Sequence, residues 1–567
     1  METMGAWRAV VEALKVEGVR YVFGLPGNPK HLVYDLTEHS EIRFVLVRDE
    51  KSAVACAYAW ARLTGEPGVV LSNPGPGITN LVSGLLEATS GSVPIVALSN
   101  GVVQKHEGMG AFQELDTRTL MKPVTKWAER VTDITRLPWV MQRAFSIARN
   151  GRPGATFVEI PSDLCGISVP MADYVRSVPR QRTRPDTAAV EAAAALIATA
   201  RKPVLLCGGG AIVAKAQAEV ARLGALIGAP VLTTPSGRGI YPEGGPLSLG
   251  QVGLYFSREG KAWYDDADLL IIVGSRLEAF STNSWSFYPR SARMIRIDGD
   301  PDALSLNWRA DVNMVGDAAL SLVDLEAELL RNGYSPQSER VAEIADTSRR
   351  FTEEAIAEAR TVSTPIRPPQ LLEAVNRIFG RDTILMKENG ATDLWCYYWP
   401  YYRVLDVGDC VAMGEQTAMG MGIIGAIGAK LARPEKQVVC FSGDGAMQMS
   451  LAELSTAAEN HCGVTWIVLN NQAFGWVQYA QVLNKKPLIG TGFEVHSDFA
   501  AIAKAQGCHG ILVTDPEKVD AAITEAKALN AKGVPVLIDA HIAKHDYYKG
   551  FVDIHVATLE TQQADAH

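Results

Sequence analysis

The sequence predicts an α/β protein of three doubly wound parallel-sheet domains followed by a C-terminal tail. Three observations carry that expectation. Short β-branched runs alternate with helix-length amphipathic stretches, the pattern of parallel α/β layers. Two polar, proline-rich segments interrupt the alternation, from Val178 to Asp186 and from Thr364 to Pro369, and read as linkers. A chain of 567 residues has room for about three to four domains of ordinary size. The expected boundaries are 1–175, 188–335 and 365–543, with the tail over 544–567.

In the first block, Val19 to Gly24 reads as a strand breaking on glycine. Gly68 to Ser72 is a second strand, followed by the turn-rich Asn73-Pro74-Gly75-Pro76-Gly77, and Val93 to Leu98 is a third. The second block opens with the apolar Val204-Leu205-Leu206-Cys207 and the loop Gly208-Gly209-Gly210, and runs to about residue 330. The third contains two strands, Val438 to Ser442 and Val464 to Leu469, each followed at once by polar residues. The tail carries His545, Tyr547, Tyr548, Phe551 and His555, too polar and too short to form another layer.

Composition narrows the function classes. Hydrophobic residues make up 47% and charged ones 21%, so the chain can build sizeable cores. A formal charge of −9 argues against a protein that coats nucleic acid, though it leaves room for a local basic patch. Eight cysteines without a CxxC read as buried, reduced thiols. No apolar run reaches ~18 residues without a charge, and Met1 to Arg8 shows no signal-peptide pattern. The expectation is a soluble, cytoplasmic enzyme with no nucleic-acid or membrane partner.

The sharpest chemical signal is Gly443-Asp444-Gly445 at the end of one strand, with Asn470-Asn471 at the end of the next. The C-terminal ends of parallel strands are where ligands bind. Asp444 offers an anionic oxygen and Asn471 a neutral one, a pair suited to a small divalent cation that keeps phosphate and water ligands. Gly443 and Gly445 let backbone N–H groups approach a diphosphate at a helix start.

This pattern resembles the magnesium and thiamine diphosphate (ThDP) motif of the acetolactate-synthase and decarboxylase superfamily. The resemblance extends over some 540 residues. It makes Asp444, Asn471 and Ala473 the metal ligands, and it adds Pro26, Asn80, Gly390, Ala391, Thr392, Met419 and Ala446 to the cofactor site. Glu50, at the end of Phe44-Val45-Leu46-Val47-Arg48-Asp49-Glu50, falls where the family places the glutamate that bonds N1′ of the aminopyrimidine and promotes its imino form. Standing alone it would read as an acid favoured at a helix start. The family's usual Arg-His-Glu is Arg-Asp-Glu here. Met419 would be the apolar wedge that bends the cofactor. The resemblance also implies a homodimer or homotetramer, with Glu50 and Asp444 meeting across a subunit interface.

Within the superfamily, Gly108-Met109-Gly110-Ala111-Phe112-Gln113-Glu114 looks closest to 2-hydroxyacyl-CoA lyases, as do Glu388 to Thr392 and the tail read as a lid. That resemblance implies cleavage of a 2-hydroxyacyl-CoA to formyl-CoA and an aldehyde or ketone, or the reverse carboligation, with Gln113 and Glu494 joining Glu50 as catalytic residues. The alternative is a FAD-independent acetolactate-synthase-like carboligase or 2-oxoacid decarboxylase. Ser162-Asp163 stands where the synthases have a lysine, and Leu277-Glu278-Ala279-Phe280 replaces the stretch associated with their FAD, which speaks against that cofactor. In the middle block Gly208, Gly209, Gly210, Arg276 and Asp298, with Arg152 from the first block, suggest an ADP or coenzyme A moiety, Arg276 facing phosphate and Asp298 facing ribose.

Overall fold

The computed structural model describes residues 3–27, 30–171, 174–289, 291–391 and 394–548, except the side chains of residues 3, 30, 31 and 170. A two-stranded antiparallel pair, β1 (Thr3–Gly5) with β8 (Ser168–Pro170), stands beside three six-stranded parallel sheets. The first contains β2 (Tyr21–Gly24), β3 (Arg43–Leu46), β4 (Gly68–Ser72), β5 (Ile95–Gly101), β6 (Trp127–Arg130) and β7 (Ala155–Pro161), in the order β3-β2-β4-β5-β7-β6. The second contains β9 (Pro203–Cys207), β10 (Val231–Thr233), β11 (Ser248–Gln251), β12 (Leu269–Val273), β13 (Arg293–Asp298) and β14 (Val312–Val315), in the order β11-β10-β9-β12-β13-β14. The third contains β15 (Thr383–Lys387), β16 (Cys410–Ala412), β17 (Gln437–Gly443), β18 (Thr465–Asn470), β19 (His509–Val513) and β20 (Val536–His541), in the order β16-β15-β17-β18-β20-β19.

Central strands such as Leu-Leu-Ile-Ile-Val of β12 are buried throughout, because helices cover both faces and leave no polar side. Each sheet reverses its strand order near its middle, between β2 and β4, between β9 and β12, and between β15 and β17. The first and third sheets reverse again at one edge, where β7 and β20 insert inside β6 and β19. Such a reversal opens a crevice at the carboxyl ends of the two strands, which fixes where ligands can enter.

By compactness the chain forms two units. One gathers Met1–Gln181, Met413–Glu435 and Ser450–Cys462, and the rest of the described chain forms the other. The helix Met421–Ala432 therefore belongs with the first sheet. It packs on the helix Glu50–Thr64, with Gly428 against the Cys56 backbone, where a Cβ would lie 2.0 Å from the Cys56 carbonyl oxygen. Residues 174–186 carry no helix or strand, as a linker should. The next helix after the second boundary starts at Pro368, whose missing N–H costs nothing at a first helical position.

The first residues of the tail are anchored. Asp546 pairs with Arg367 at 2.6 Å, and its carbonyl accepts the Trp395 indole N–H at 3.0 Å. Tyr548 stacks on Tyr398 with ring centres 3.9 Å apart, and Tyr547 packs on Tyr479 at 4.4 Å. Residues 546–548 thus pack on the third domain, held by aromatic contacts and the Asp546 ion pair. Phe551, His555 and the remainder of the tail lie outside the described residues.

All eight cysteines are free, and seven are buried. Among the described residues no helix is long and apolar enough to cross a membrane.

Candidate cofactor site

At the third sheet's crevice, three adjacent strand ends carry the residues singled out above. Gly390 and Ala391 follow β15, Asp444 to Ala446 follow β17, and Asn471 to Ala473 follow β18. Asp444 opens the short helix Asp444–Gln448, capped by the extended backbone of Gly443. Its Oδ1 accepts the Gly445 N–H at 3.0 Å. Burial pushes its carboxyl up to about 6, against the lowering effect of the Gly445, Gln472 and Ala473 amides. Those amides place the carboxylate against the loop after β18.

The two asparagines divide their work. Asn470 donates its side-chain amide to Asp539 Oδ1 at 2.9 Å, a bond that fixes the strand end. Asn471 is left for a ligand: its Oδ1, like Asp444 Oδ2, is buried without a hydrogen-bond partner. Buried oxygens without partners are rare and call for an explanation. A small hard cation supplies one, since it takes such oxygens and completes its shell with phosphate and water. Among the described residues no cluster of three His, Cys, Asp or Glu could hold a metal alone, so a phosphate-bearing partner ligand fits this donor set. Bonds from Phe474 N–H to the Thr491 carbonyl at 2.8 Å and from Phe493 N–H to the Gln472 carbonyl at 2.9 Å hold the loop. Ala391 is close by: a Cβ at Gly475 would lie 3.1 Å from Ala391 Cβ and 2.9 Å from Asn471 Nδ2. Thr392 lies outside the described residues.

The crevice of the first sheet holds the second half of the expected constellation. Glu50 begins the helix Glu50–Thr64 and is buried. Asp49 is that helix's N-cap and accepts the Lys51 N–H at 2.6 Å, which gives the Arg-Asp-Glu wording a structural reason. Arg48 ties the turn to the helix Glu453–Glu459, its N–H donating to Glu453 at 2.8 Å and its guanidinium to Glu459 at 2.5 Å. Asn80 donates its side-chain amide to Glu50 Oε2 at 3.0 Å. Gly77 lies directly over the other oxygen, where a Cβ would sit 2.7 Å from Glu50 Oε1, so the close approach demands glycine. The exposed Pro26 follows β2, and its carbonyl accepts Asn73 Nδ2 at 3.4 Å. Met419 is half-buried in the turn before Gly420, and its carbonyl accepts the Lys51 ammonium at 3.4 Å.

Gln113, at φ +65°, lines a cavity of about 290 Å³ together with Gly75, Ile78, Thr117, Arg130 and Glu159. The Thr117 hydroxyl donates to Glu159, whose carboxyl is raised above the usual range by burial, opposed by that bond and by Arg130. The cavity shares the helix Pro76–Ser90 with Asn80, Ile78 facing the cavity.

The middle sheet brings Gly208–Gly210, Arg276 and Asp298 to three neighbouring strand ends, after β9, after β12 and on β13. Their chemistry is more local than a nucleotide site requires. Gly208 N–H donates to the Val273 carbonyl at 2.8 Å and Gly210 N–H to the Gly274 carbonyl at 2.9 Å, so neither amide is left for a phosphate. Arg276 pairs with Glu278 at 2.5 Å. Asp298 accepts the Asp300 N–H at 2.9 Å, and its carboxyl is raised by burial. Arg152 binds the Ser92 hydroxyl at 3.0 Å and the carbonyls of Thr89 and Ser90 at 3.0 and 3.2 Å, closing the end of the helix Pro76–Ser90. Glu494 is exposed, and no described hydrogen bond brings it to the Asp444 loop. Neither Arg152 nor Glu494 has its expected role supported by these contacts.

Sequence reasoning missed Glu87. It is fully buried and accepts the N–H groups of Glu415 and Gln416, each at 2.9 Å. A glutamate among Leu81, Leu85 and Ala88 on one helix was the available signal.

Comparison with known proteins agrees with this geometry. Models described as the thiamine pyrophosphate enzyme N-terminal TPP binding domain, central domain and C-terminal TPP binding domain match residues 4–120, 190–325 and 390–540. The chain is similar to the acetolactate synthase large subunit of Haemophilus influenzae, 31% identical over 96% of both chains. It is 34% identical to the acetolactate synthase of Mycobacterium leprae over 95% of this chain and 87% of that one. With the Escherichia coli acetolactate synthase isozyme 3 large subunit the identity is 31%, over 93% and 92%. Matched along nearly its whole length, and with Glu50–Asn80 at the crevice of its first sheet and Asp444–Asn471 at that of its third, the chain is a ThDP-dependent enzyme and belongs to the thiamine pyrophosphate enzyme family.

Proposed function

We propose that the protein is a ThDP- and magnesium-dependent carboligase of the acetolactate-synthase type. It would decarboxylate one 2-oxoacid and join the remaining acyl carbon to a second carbonyl compound. The observation that carries this reading is the near full-length similarity to proteins named acetolactate synthase, in a chain that keeps Glu50, Asp444 and Asn471. ThDP, when bound, supplies an electron sink for the carbon that loses carbon dioxide. Asp444 Oδ2 and Asn471 Oδ1, with Ala473, would hold the magnesium ion. Glu50 keeps and returns a proton at the cofactor's pyrimidine, with Asn80 fixing the orientation of its carboxylate. Gln113 orients a substrate oxygen from the cavity wall. The protein works as a homodimer or homotetramer.

A second reading is the 2-hydroxyacyl-CoA lyase suggested by Met109 to Glu114 and Glu388 to Thr392. The names of the relatives favour the carboligase. Leu277-Glu278-Ala279-Phe280, in place of the stretch associated with FAD, supports a middle domain that works without FAD. Products formed from pyruvate and from a 2-hydroxyacyl-CoA, followed by mass spectrometry, separate the readings. The carboligase gives carbon dioxide and acetolactate from pyruvate without coenzyme A. Formyl-CoA from the thioester, with pyruvate untouched, overturns it in favour of the lyase. Mass spectrometry of the molecules released from the purified protein should show ThDP without FAD.

A further inference from the structure

We propose that Glu87 is a positioning residue whose ionised carboxylate latches the backbone carrying Met419, so that cofactor binding weakens when this carboxylate is neutralised. The inference rests on the ThDP reading and is independent of which substrate the enzyme takes.

The geometry is local and complete. Glu87 lies in the last turns of the helix Pro76–Ser90 and is fully buried. Its two oxygens each accept one backbone N–H, from Glu415 and Gln416, at 2.9 Å. Ser90, one turn on, accepts the Gln416 side-chain amide at 3.0 Å. Beyond these residues the Met419 carbonyl is held by Lys51 at 3.4 Å and the Gly420 carbonyl by the Ser450 hydroxyl at 3.2 Å. The segment 415–420 is therefore fastened to two helices, the one that begins with Glu50 and the one that carries Asn80. These are the helices whose side chains meet in the Asn80–Glu50 hydrogen bond.

The chemistry of the latch depends on charge. An ionised carboxylate offers acceptors to both N–H groups, whereas protonation turns one oxygen into a hydroxyl that faces a donor. Among the described residues no cation is recorded on this carboxylate. The charged groups around it are Glu415, which opposes ionisation, Lys51 at the Met419 carbonyl, and Arg152 at the Thr89 and Ser90 carbonyls. Burial pushes the Glu87 carboxyl up to about 7, against the Gln416, Glu415 and Ala418 amides. The latch therefore closes as pH rises through neutrality.

Stability moves the other way. With its folded pKa above the unfolded value, Glu87 stabilises the fold most at low pH, and that contribution is lost between the ordinary carboxylate range and about 7. A purely structural role would not make cofactor affinity rise while this contribution to stability falls.

The test uses the full chain labelled with methyl-13C methionine, the Met419 signal assigned with Met419→Leu. In the cofactor-free parent protein the Met419 methyl shift should titrate with a midpoint near 7, and in Glu87→Gln it should not. Calorimetry with ThDP and magnesium should show binding to the parent weakening by about tenfold from pH 8 to pH 6, the scale of one lost charged hydrogen bond. Glu87→Gln should bind at the weakened level at pH 8. Its remaining pH dependence gives the contribution of other groups, Asp444 included. Parent-like affinity in Glu87→Gln, or a parent Met419 signal that ignores pH, overturns the latch. The parent titration decides the matter even if the variant fails to fold. A failure to make acetolactate would leave both readouts intact.

Discussion

Glu50 meets three demands at once: it is buried, it accepts from Asn80, and Gly77 lies against its free edge. Those constraints hold the carboxylate in place for proton exchange, and a glutamine of the same shape keeps an oxygen for Asn80. Glu50→Gln should therefore keep the melting temperature and cut turnover by roughly 10²-fold or more, the usual scale for a lost acid–base partner. Steady-state kinetics beside a thermal scan check both halves. Near-parental turnover would remove Glu50 from the mechanism. The strand-end positions of Asp444 and Asn471 were legible from residue type and spacing, whereas Glu50 stood out only through the family resemblance, since alone it reads as a helix-start acid. Arg152 was read as a nucleotide contact, but an arginine's type does not reveal its partners, which here include helix-end carbonyls. Glu87 was missed for the same reason, since a single glutamate on a helix ordinarily reads as part of a solvated face.

The helix Glu50–Thr64 is positioned by its first residues. Asp49 caps it, so Asp49→Ala should cost about 1 kcal/mol, while Asp49→Asn should cost little because asparagine caps as well. Chemical denaturation of the two variants measures the difference, and equal losses would mean that the cap bond contributes nothing. The strands were readable as uninterrupted apolar runs, though β5 begins and ends later than its apolar run suggests and extends through Ser99 to Gly101. The tail was less readable. Its aromatic content suggests a cover, but Tyr547 and Tyr548 pack on the rings of Tyr479 and Tyr398, far earlier in the chain, which no local pattern announces. Ending the chain after Ala543 should lower the melting temperature by several degrees, since losing the half-buried Tyr547 and Tyr548 contacts and the Asp546 ion pair costs on the order of a few kcal/mol. Ending it after Tyr548 should not. Equal melting temperatures for the two truncations would show that residues 544–548 add no stability.

At the scale of the whole molecule, repetition was the most readable feature. Three sheets of the same parallel type place three crevices at comparable strand-order reversals. The sequence marked the residues at each crevice, yet could not say which of their donors are already used. The Gly208 and Gly210 amides are paired with neighbouring carbonyls, whereas Asp444 Oδ2 and Asn471 Oδ1 are not. That contrast separates a crevice with ready metal ligands from one whose loop is largely satisfied by itself. The most direct measurement of this difference is calorimetric titration of ThDP with magnesium into the parent and into Asp444→Ala. The parent should bind with saturable, magnesium-dependent heat. The variant should lose at least about a hundredfold in affinity, on the scale of losing a charged metal ligand, while its cofactor-free melting temperature stays at or above the parent's because a buried carboxylate has been removed. Parent-like, magnesium-dependent binding of ThDP by a folded Asp444→Ala would contradict the assignment of this site.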